Sequence, residues 1–354
     1  MLTKKTVVID LMLGYKCNFN CKYCFQKRNT VIYADDITEE VLNKVADIAK
    51  KLTQKYKVRF AIFGGEPLLY MEKIELLILL LKDNKDIDFA ICTNGSLISN
   101  HTNKILYLKK ILNSNKTNRR FHFVVSYDYN LQDNRCPNTY KLVRDNIKWL
   151  CDNDFFVCTN TVFDVDYKEN IYNCFLDFIK LNLECPHLIM KFNFNYFLKN
   201  INYNEIELEN IFKKCNFIIK KANLEKNIRY NNITAKEINF VKRLDTCIHS
   251  DLYFGIDSNG NITFGCNSTT VQDNIKQLLY VGNVLNNTLE EIESNKQNLL
   301  NKINYSIDKK CKKCENVCKI WPWFKENFSL ETFMSPLHNK QCLIQKYITE
   351  YLIF

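Results

Sequence analysis

Glycine is scarce. The chain holds 8 in 354 residues, where usage of about 7% is ordinary. That excludes a collagen repeat and makes each glycine worth locating. Histidine is equally rare, 5 in all, and none is spaced for a catalytic triad or a zinc protease. Long apolar runs are missing: the longest aliphatic stretch, Leu76–Leu81, falls far short of the roughly 20 residues that cross a bilayer. Near the N-terminus Val7-Val8-Ile9 is broken by Asp10, and no small-residue cleavage site follows. No signal peptide is read and no membrane partner is expected. Coiled coil and channel are excluded with these. Hydrophobic residues at 46% and charged residues at 25% rule out wholesale disorder, and the length predicts about two domains.

Cysteine, by contrast, is abundant, with 16 residues in a chain without an export signal. The expected compartment is the reducing cytoplasm, where thiols stay unpaired and their clustering points to metal. The formal net charge of +10 invites a nucleic-acid reading. Metal-bound thiolates would each subtract from it, so no nucleic-acid partner is expected.

Short apolar segments alternate with amphipathic ones over the first half. Strands are predicted at Thr6–Leu13, Val58–Phe63, Phe89–Thr93, Phe121–Ser126, Phe156–Val162 and Leu188–Phe194. Helices are predicted around Thr38–Leu52, Glu72–Lys82, Asn103–Leu112, Tyr140–Leu150 and Ile171–Asn182. In the first helix Val41, Leu42, Val45, Ala46 and Ile48 share a face. Alternation of this kind predicts an α/β fold with a parallel sheet and right-handed crossovers. Six units are too few for a closed eight-stranded barrel, so a partial (β/α)6 TIM-like barrel is expected, followed by a small cysteine-rich domain. The predicted divisions are residues 1–200 for the barrel, 201–245 for a helical connector and 246–354 for the cysteine-rich domain.

In such a sheet ligands bind at the carboxyl ends of the strands, and the sparse polar signals gather there. Cys17 follows strand one, Gly64-Gly65-Glu66-Pro67 strand two, Thr93-Asn94-Gly95 strand three, and Ser126-Tyr127-Asp128 strand four. Cys17, Cys21 and Cys24 form CxxxCxxC on one short loop. Three thiolates so spaced can hold three irons of a [4Fe–4S] cubane and leave the fourth open. The alternative is a zinc site short of one ligand.

The chain here resembles the radical S-adenosylmethionine (radical SAM) superfamily, whose hallmark is CxxxCxxC with an aromatic before the last cysteine, here Tyr23. Gly64-Gly65-Glu66-Pro67 resembles that family's GGEP element, which receives the amino group of S-adenosylmethionine. Two glycines let backbone come close, and the resemblance gives Glu66 to the ammonium. Ser126 and Asp128 are similar to its SxDG element near the carboxylate and ribose. Tyr129 stands where the glycine usually does, and Gln132-Asp133-Asn134-Arg135 replaces the usual HDxxR. Arg135 or Arg144 is expected to meet the carboxylate. Asn94 sits in a segment similar to the relatives' strand-three end; a plain turn is the alternative. Cys92, ending strand three, is a candidate hydrogen donor.

The remaining cysteines resemble the SPASM extension, which binds auxiliary [4Fe–4S] clusters in peptide-modifying members. Cys247, Gly260 through Cys266, Cys311-x2-Cys314-x3-Cys318 and Cys342 carry the likeness. The gap from Gly260 to Cys266 is one residue longer than in the family pattern, and one thiol of that pattern is missing. The resemblance implies Cys247, Cys266 and Cys318 for one cluster and Cys311, Cys314 and Cys342 for the other, with His249 or Cys215 as supplements. One auxiliary cluster, or structural zinc, stays open. Trp321, Trp323 and Phe324 are expected to shield a cluster or simply to form core. Asn267 after Cys266, where sulfatase-maturing relatives have aspartate, argues against that activity. The implied activity is reductive cleavage of S-adenosylmethionine to a 5′-deoxyadenosyl radical that modifies a peptide or protein, as in ribosomal peptide maturation. A small-molecule substrate, or a non-catalytic basic zinc protein, is the alternative. A flavodoxin or ferredoxin is the expected electron donor. With little sequence before strand one for a leader-binding domain, substrate recognition is expected to fall to the barrel surface, the 196–245 connector or a separate leader-peptide-binding protein.

Overall fold

The computed structural model describes residues 4–21, 24, 35–163, 168–194, 210, 213–214, 253–264, 277 and 279–305. Six strands alternate with helices as the hydrophobic pattern requires. They are β1 (Thr6–Met12), β2 (Lys57–Phe63), β3 (Ile87–Thr93), β4 (Phe121–Ser126), β5 (Val157–Phe163) and β6 (Ile189–Phe194). The crossover helices are α1 (Glu39–Leu52), α2 (Met71–Leu81), α3 (Thr102–Ile111), α4 (Tyr140–Asp152) and α5 (Lys168–Glu184). All neighbouring pairs from β1 to β6 are parallel. The strand order runs linearly, β6-β5-β4-β3-β2-β1 and on to β7-β8-β9. The six units therefore form the expected partial barrel.

Alternation along the strands sorts the side chains. Val7, Ile9 and Leu11 of β1, Val58, Phe60 and Ile62 of β2, and Phe121, Phe123 and Val125 of β4 are buried in one core with the helices. Residues one register apart take the other face, which is more polar. There Asp88, 1% exposed, meets Lys57 Nζ at 2.9 Å and Arg59 Nη2 at 3.3 Å. Helix α1 begins where Thr38 accepts a hydrogen bond from the Val41 amide, satisfying one orphan donor of the first turn. Its buried face is Val41, Leu42, Val45, Ala46, Ala49 and Leu52. Ile48, expected on that face, lies at its margin, partly buried against the core.

Beyond residue 246 the chain returns to the same sheet. β7 (Tyr253–Ile256) pairs parallel with β1, and β8 (Asn261–Phe264) and β9 (Tyr280–Asn283) add antiparallel. This covers an edge of β1 that would otherwise present unpaired amides. Helix α6 (Leu289–Tyr305) packs on β9 through Ile292.

Candidate active site at the strand ends

Because β1 to β4 are parallel, their carboxyl ends converge on one mouth. Backbone bonds first draw β1 and β2 together beyond the sheet: the Gly65 amide donates to Gly14 O at 2.9 Å and the Glu66 amide to Lys16 O at 2.8 Å. Only glycine fits that approach. A Cβ on Gly65 would stand 2.1 Å from Lys16 O, so Gly65→Ala must part the two strand ends. The expected cost is about 3 kcal/mol, read as a lowered denaturation midpoint.

Glu66 turns inward. Its carboxylate is fully buried and accepts from the Leu68 amide at 3.0 Å, the Thr93 hydroxyl at 2.6 Å and the Asn94 amide at 2.7 Å. Burial pushes its carboxyl up from the ordinary range, while these donors pull it back. It caps the short turn Pro67–Tyr70 and fastens the end of β3 to that of β2. Pro67, at the first position of that turn, is buried with it. The side chain to which the resemblance gives the ammonium role thus accepts two protein donors on Oε1 and one on Oε2. What Gly64 and Gly65 bring to the mouth is backbone.

Asn94 extends the brace to the cysteine loop. Its amide nitrogen donates to Asn18 Oδ1 at 2.8 Å and stands 4.0 Å from Cys17 Sγ. Its oxygen accepts from the Ser96 amide and hydroxyl, and Asn18 Nδ2 donates to Ser96 Oγ at 2.8 Å. The polar residue inside CxxxCxxC was a signal for Asn18 that sequence reasoning passed over.

Cys17 is exposed, and Cys21 and Cys24 half-buried. The Phe19 amide donates to Cys17 Sγ at 3.4 Å. Burial pushes Cys17 and Cys21 up as thiols, with Cys24 close enough to add to both shifts. Arg135 opposes this at Cys21. Among the described residues no three Cys, His, Asp or Glu side chains converge as one metal ion requires. A cubane takes each thiolate on a different iron, and Cys17, Cys21 and Cys24 are the three thiols the motif offers it.

Ser126 is half-buried at the end of β4. Asp128 is buried, accepts from the Val162 amide at 2.9 Å and faces Arg135 Nη1 at 3.7 Å. Tyr129 takes the left-handed conformation, φ 52°, that explains a family preference for glycine there. Complete burial and a 2.7 Å hydrogen bond between its hydroxyl and Thr159 Oγ1 hold it in place. The two candidate arginines separate. Arg144 is not at the mouth: the face of α4 that carries it meets α5, and it pairs with Asp177 at 2.9 Å and Glu184 at 3.1 Å. Arg135 stays beside Asp128 and within electrostatic reach of Cys21 and Glu66. Cys92 is half-buried on β3. Tyr23, Cys215, Cys247, His249, Cys266, Asn267, Cys311, Cys314, Cys318, Trp321, Trp323, Phe324 and Cys342 lie outside the described residues.

The sequence model of the radical SAM superfamily matches residues 11–170. Residues 11–170 are a radical SAM domain. The match runs from the end of β1 through β5 and includes every strand-end residue described above. Over 74% of its length the chain is 26% identical to a radical SAM cyclopropyl synthase, TigE, from Paramaledivibacter caminithermalis, covering 57% of that protein. Over 87% it is 26% identical to a cysteine-type anaerobic sulfatase-maturating enzyme from Clostridium perfringens, covering 84% of it. The fold is similar to that of native anSMEcpe with bound AdoMet and Cp18Cys peptide, with a TM-score of 0.67 at 17% identity, covering 98% of each chain. Among the described residues no helix is long and apolar enough to cross a membrane, and none of the nine described cysteines is in a disulfide.

Proposed function

We propose that the protein is a radical SAM enzyme that modifies a peptide or protein. The observation that carries the reading is the brace from Glu66 through Asn94 to Asn18 and Cys17, which brings the cysteine loop against three adjacent strand ends. Cys17, Cys21 and Cys24 would hold the [4Fe–4S] cluster. Held there, a reduced cluster would supply the one electron that splits S-adenosylmethionine into methionine and a 5′-deoxyadenosyl radical able to take hydrogen from an unactivated carbon.

The chain's own residues bind and orient. Backbone of Gly64 and Gly65 lines the place of the cosubstrate's ammonium, with Glu66 fixing that backbone from behind. Ser126, Asp128 and Asn94 border the same mouth. Arg135 is the carboxylate partner, since Arg144 is committed to Asp177 and Glu184. Removing a charged hydrogen-bond partner costs about tenfold or more in affinity. Arg135→Ala is therefore expected to weaken S-adenosylmethionine binding by that factor in equilibrium dialysis, with Arg144→Ala leaving it unchanged. Equal affinities in the two variants would remove Arg135 from the site.

The peptide or protein substrate rests on the SPASM likeness of Cys247, Cys266, Cys311, Cys314, Cys318 and Cys342, which would hold one or two auxiliary clusters. The sulfatase-maturating relative and the similar fold with bound Cp18Cys peptide support it. Co-expression with a short peptide encoded beside the gene, followed by mass spectrometry, tests it. A mass change that needs Cys17 supports the reading, and an unmodified peptide beside active cleavage of S-adenosylmethionine favours a small molecule. A reducing cytoplasm and a flavodoxin-type donor follow from the same reading.

A further inference from the structure

Lys16 directly precedes the cysteine motif and Asp36 precedes α1, and both meet one side chain from a third element. Tyr70 ends the short turn that Glu66 caps. Its hydroxyl donates to Asp36 Oδ1 at 2.9 Å and accepts from the Lys16 amide at 3.0 Å. Lys16 Nζ closes the triangle on Asp36 Oδ2 at 2.6 Å. Backbone pairing continues it, with the Ile37 amide on Leu13 O at 2.9 Å. Gly14 leaves room: a Cβ there would stand 2.4 Å from the Tyr70 hydroxyl and 2.8 Å from Asp36 Oδ1.

We propose that Lys16, Asp36 and Tyr70 form a latch that closes the base of the cysteine loop and thereby holds the cluster ligands in place before and after iron arrives. Tyr70 and Asp36 are positioning residues; neither is a ligand. The physical reason is loop closure. Three thiols must come to one cluster, and flanking segments already pinned remove part of the entropy that closure costs. The phenolic oxygen suits the task because it donates to one stem and accepts from the other. Tyr70 stays protonated through the physiological range, burial and the neighbouring Asp36 pushing it up to about 12. The turn that carries Tyr70 also carries Glu66, so one element fastens both the β3 end and the loop base.

The inference rests on the proposal that Cys17, Cys21 and Cys24 hold a cluster, and two readouts keep the two apart. In metal-free full-length protein, amide exchange at Lys16 and Ile37 reports the latch alone. Tyr70→Phe keeps the ring, and Asp36→Asn removes the charge. Each is expected to speed exchange at these amides about tenfold, and unchanged exchange would overturn the latch. In protein reconstituted anaerobically with iron and sulfide, the second readout is loss to a ferrous chelator of the iron that disappears in the Cys17, Cys21 and Cys24 triple alanine variant. Tyr70→Phe and Asp36→Asn are each expected to release it about tenfold faster. The double variant should release it no faster than the faster single one, since the residues act as one unit. Wild-type release rates in both single variants, or fully additive effects in the double, overturn the proposal. A wild-type protein that binds no iron through the three cysteines overturns the cluster reading instead, with the exchange result still deciding the latch.

Discussion

Replacing Cys17, Cys21 and Cys24 together by alanine is expected to remove about four irons per chain and to take reductive cleavage of S-adenosylmethionine to background. The expected loss is this large because the three thiols are interdependent. A cubane held by two thiolates has two under-ligated irons, and each further thiolate lost opens another. Folding should survive the change. Cys17 is exposed and Cys21 and Cys24 are half-buried, so little packing goes with the sulfurs. Stability measured by denaturant should therefore move far less than activity. A triple variant that keeps its iron and its cleavage would place the cluster elsewhere in the chain.

Glu66→Ala is expected to have the largest effect on stability, and it is the change that separates a brace from a ligand. It strands the Thr93 hydroxyl and the Leu68 and Asn94 amides, and buried donors left without partners cost about 1–3 kcal/mol each. Allowing for local relaxation, the sum is about 4 kcal/mol, or a fall of roughly 5 °C in melting temperature. Glu66→Gln keeps an oxygen for Thr93 and Leu68 but turns an NH2 toward the Asn94 amide, at a cost of about 2 kcal/mol. A carboxylate whose only task is to meet an ammonium would behave otherwise: Glu66→Ala would then weaken binding of S-adenosylmethionine and leave melting untouched. The brace predicts that both fall together, because the end of β3 and the loop holding Asn18 loosen with it.

The barrel was legible because its signals are local. Apolar strands such as Val58–Phe63 and the amphipathic face of α1 depend on neighbours a few residues away. Cys17, Glu66, Asn94 and Asp128 could be put at one mouth because parallel strands deliver their carboxyl ends together. Pairings across long sequence distance were not legible. Nothing in Tyr253–Ile256 says that it lies beside β1. Tyr70, Asp36 and Lys16 meet across 54 residues with no motif to announce them. Which way Glu66 faces depends on donors in β3. The choice between Arg135 and Arg144 depends on which face of α4 meets α5, a matter of packing that spacing cannot decide. Tyr129 in a left-handed conformation is the clearest departure: local preference asks for glycine, and the buried hydroxyl bond to Thr159 overrides it.

The central claim is that this fold holds a cluster that splits S-adenosylmethionine. It is tested most directly by reconstituting the full chain anaerobically, reducing it with dithionite and adding S-adenosylmethionine. Iron, sulfide, zinc and 5′-deoxyadenosine are then measured on the same sample. The account predicts iron and sulfide in equal amounts, with 5′-deoxyadenosine formed by the wild type and absent with the triple alanine variant. Bound zinc without sulfide, and no 5′-deoxyadenosine from reduced protein, would contradict it.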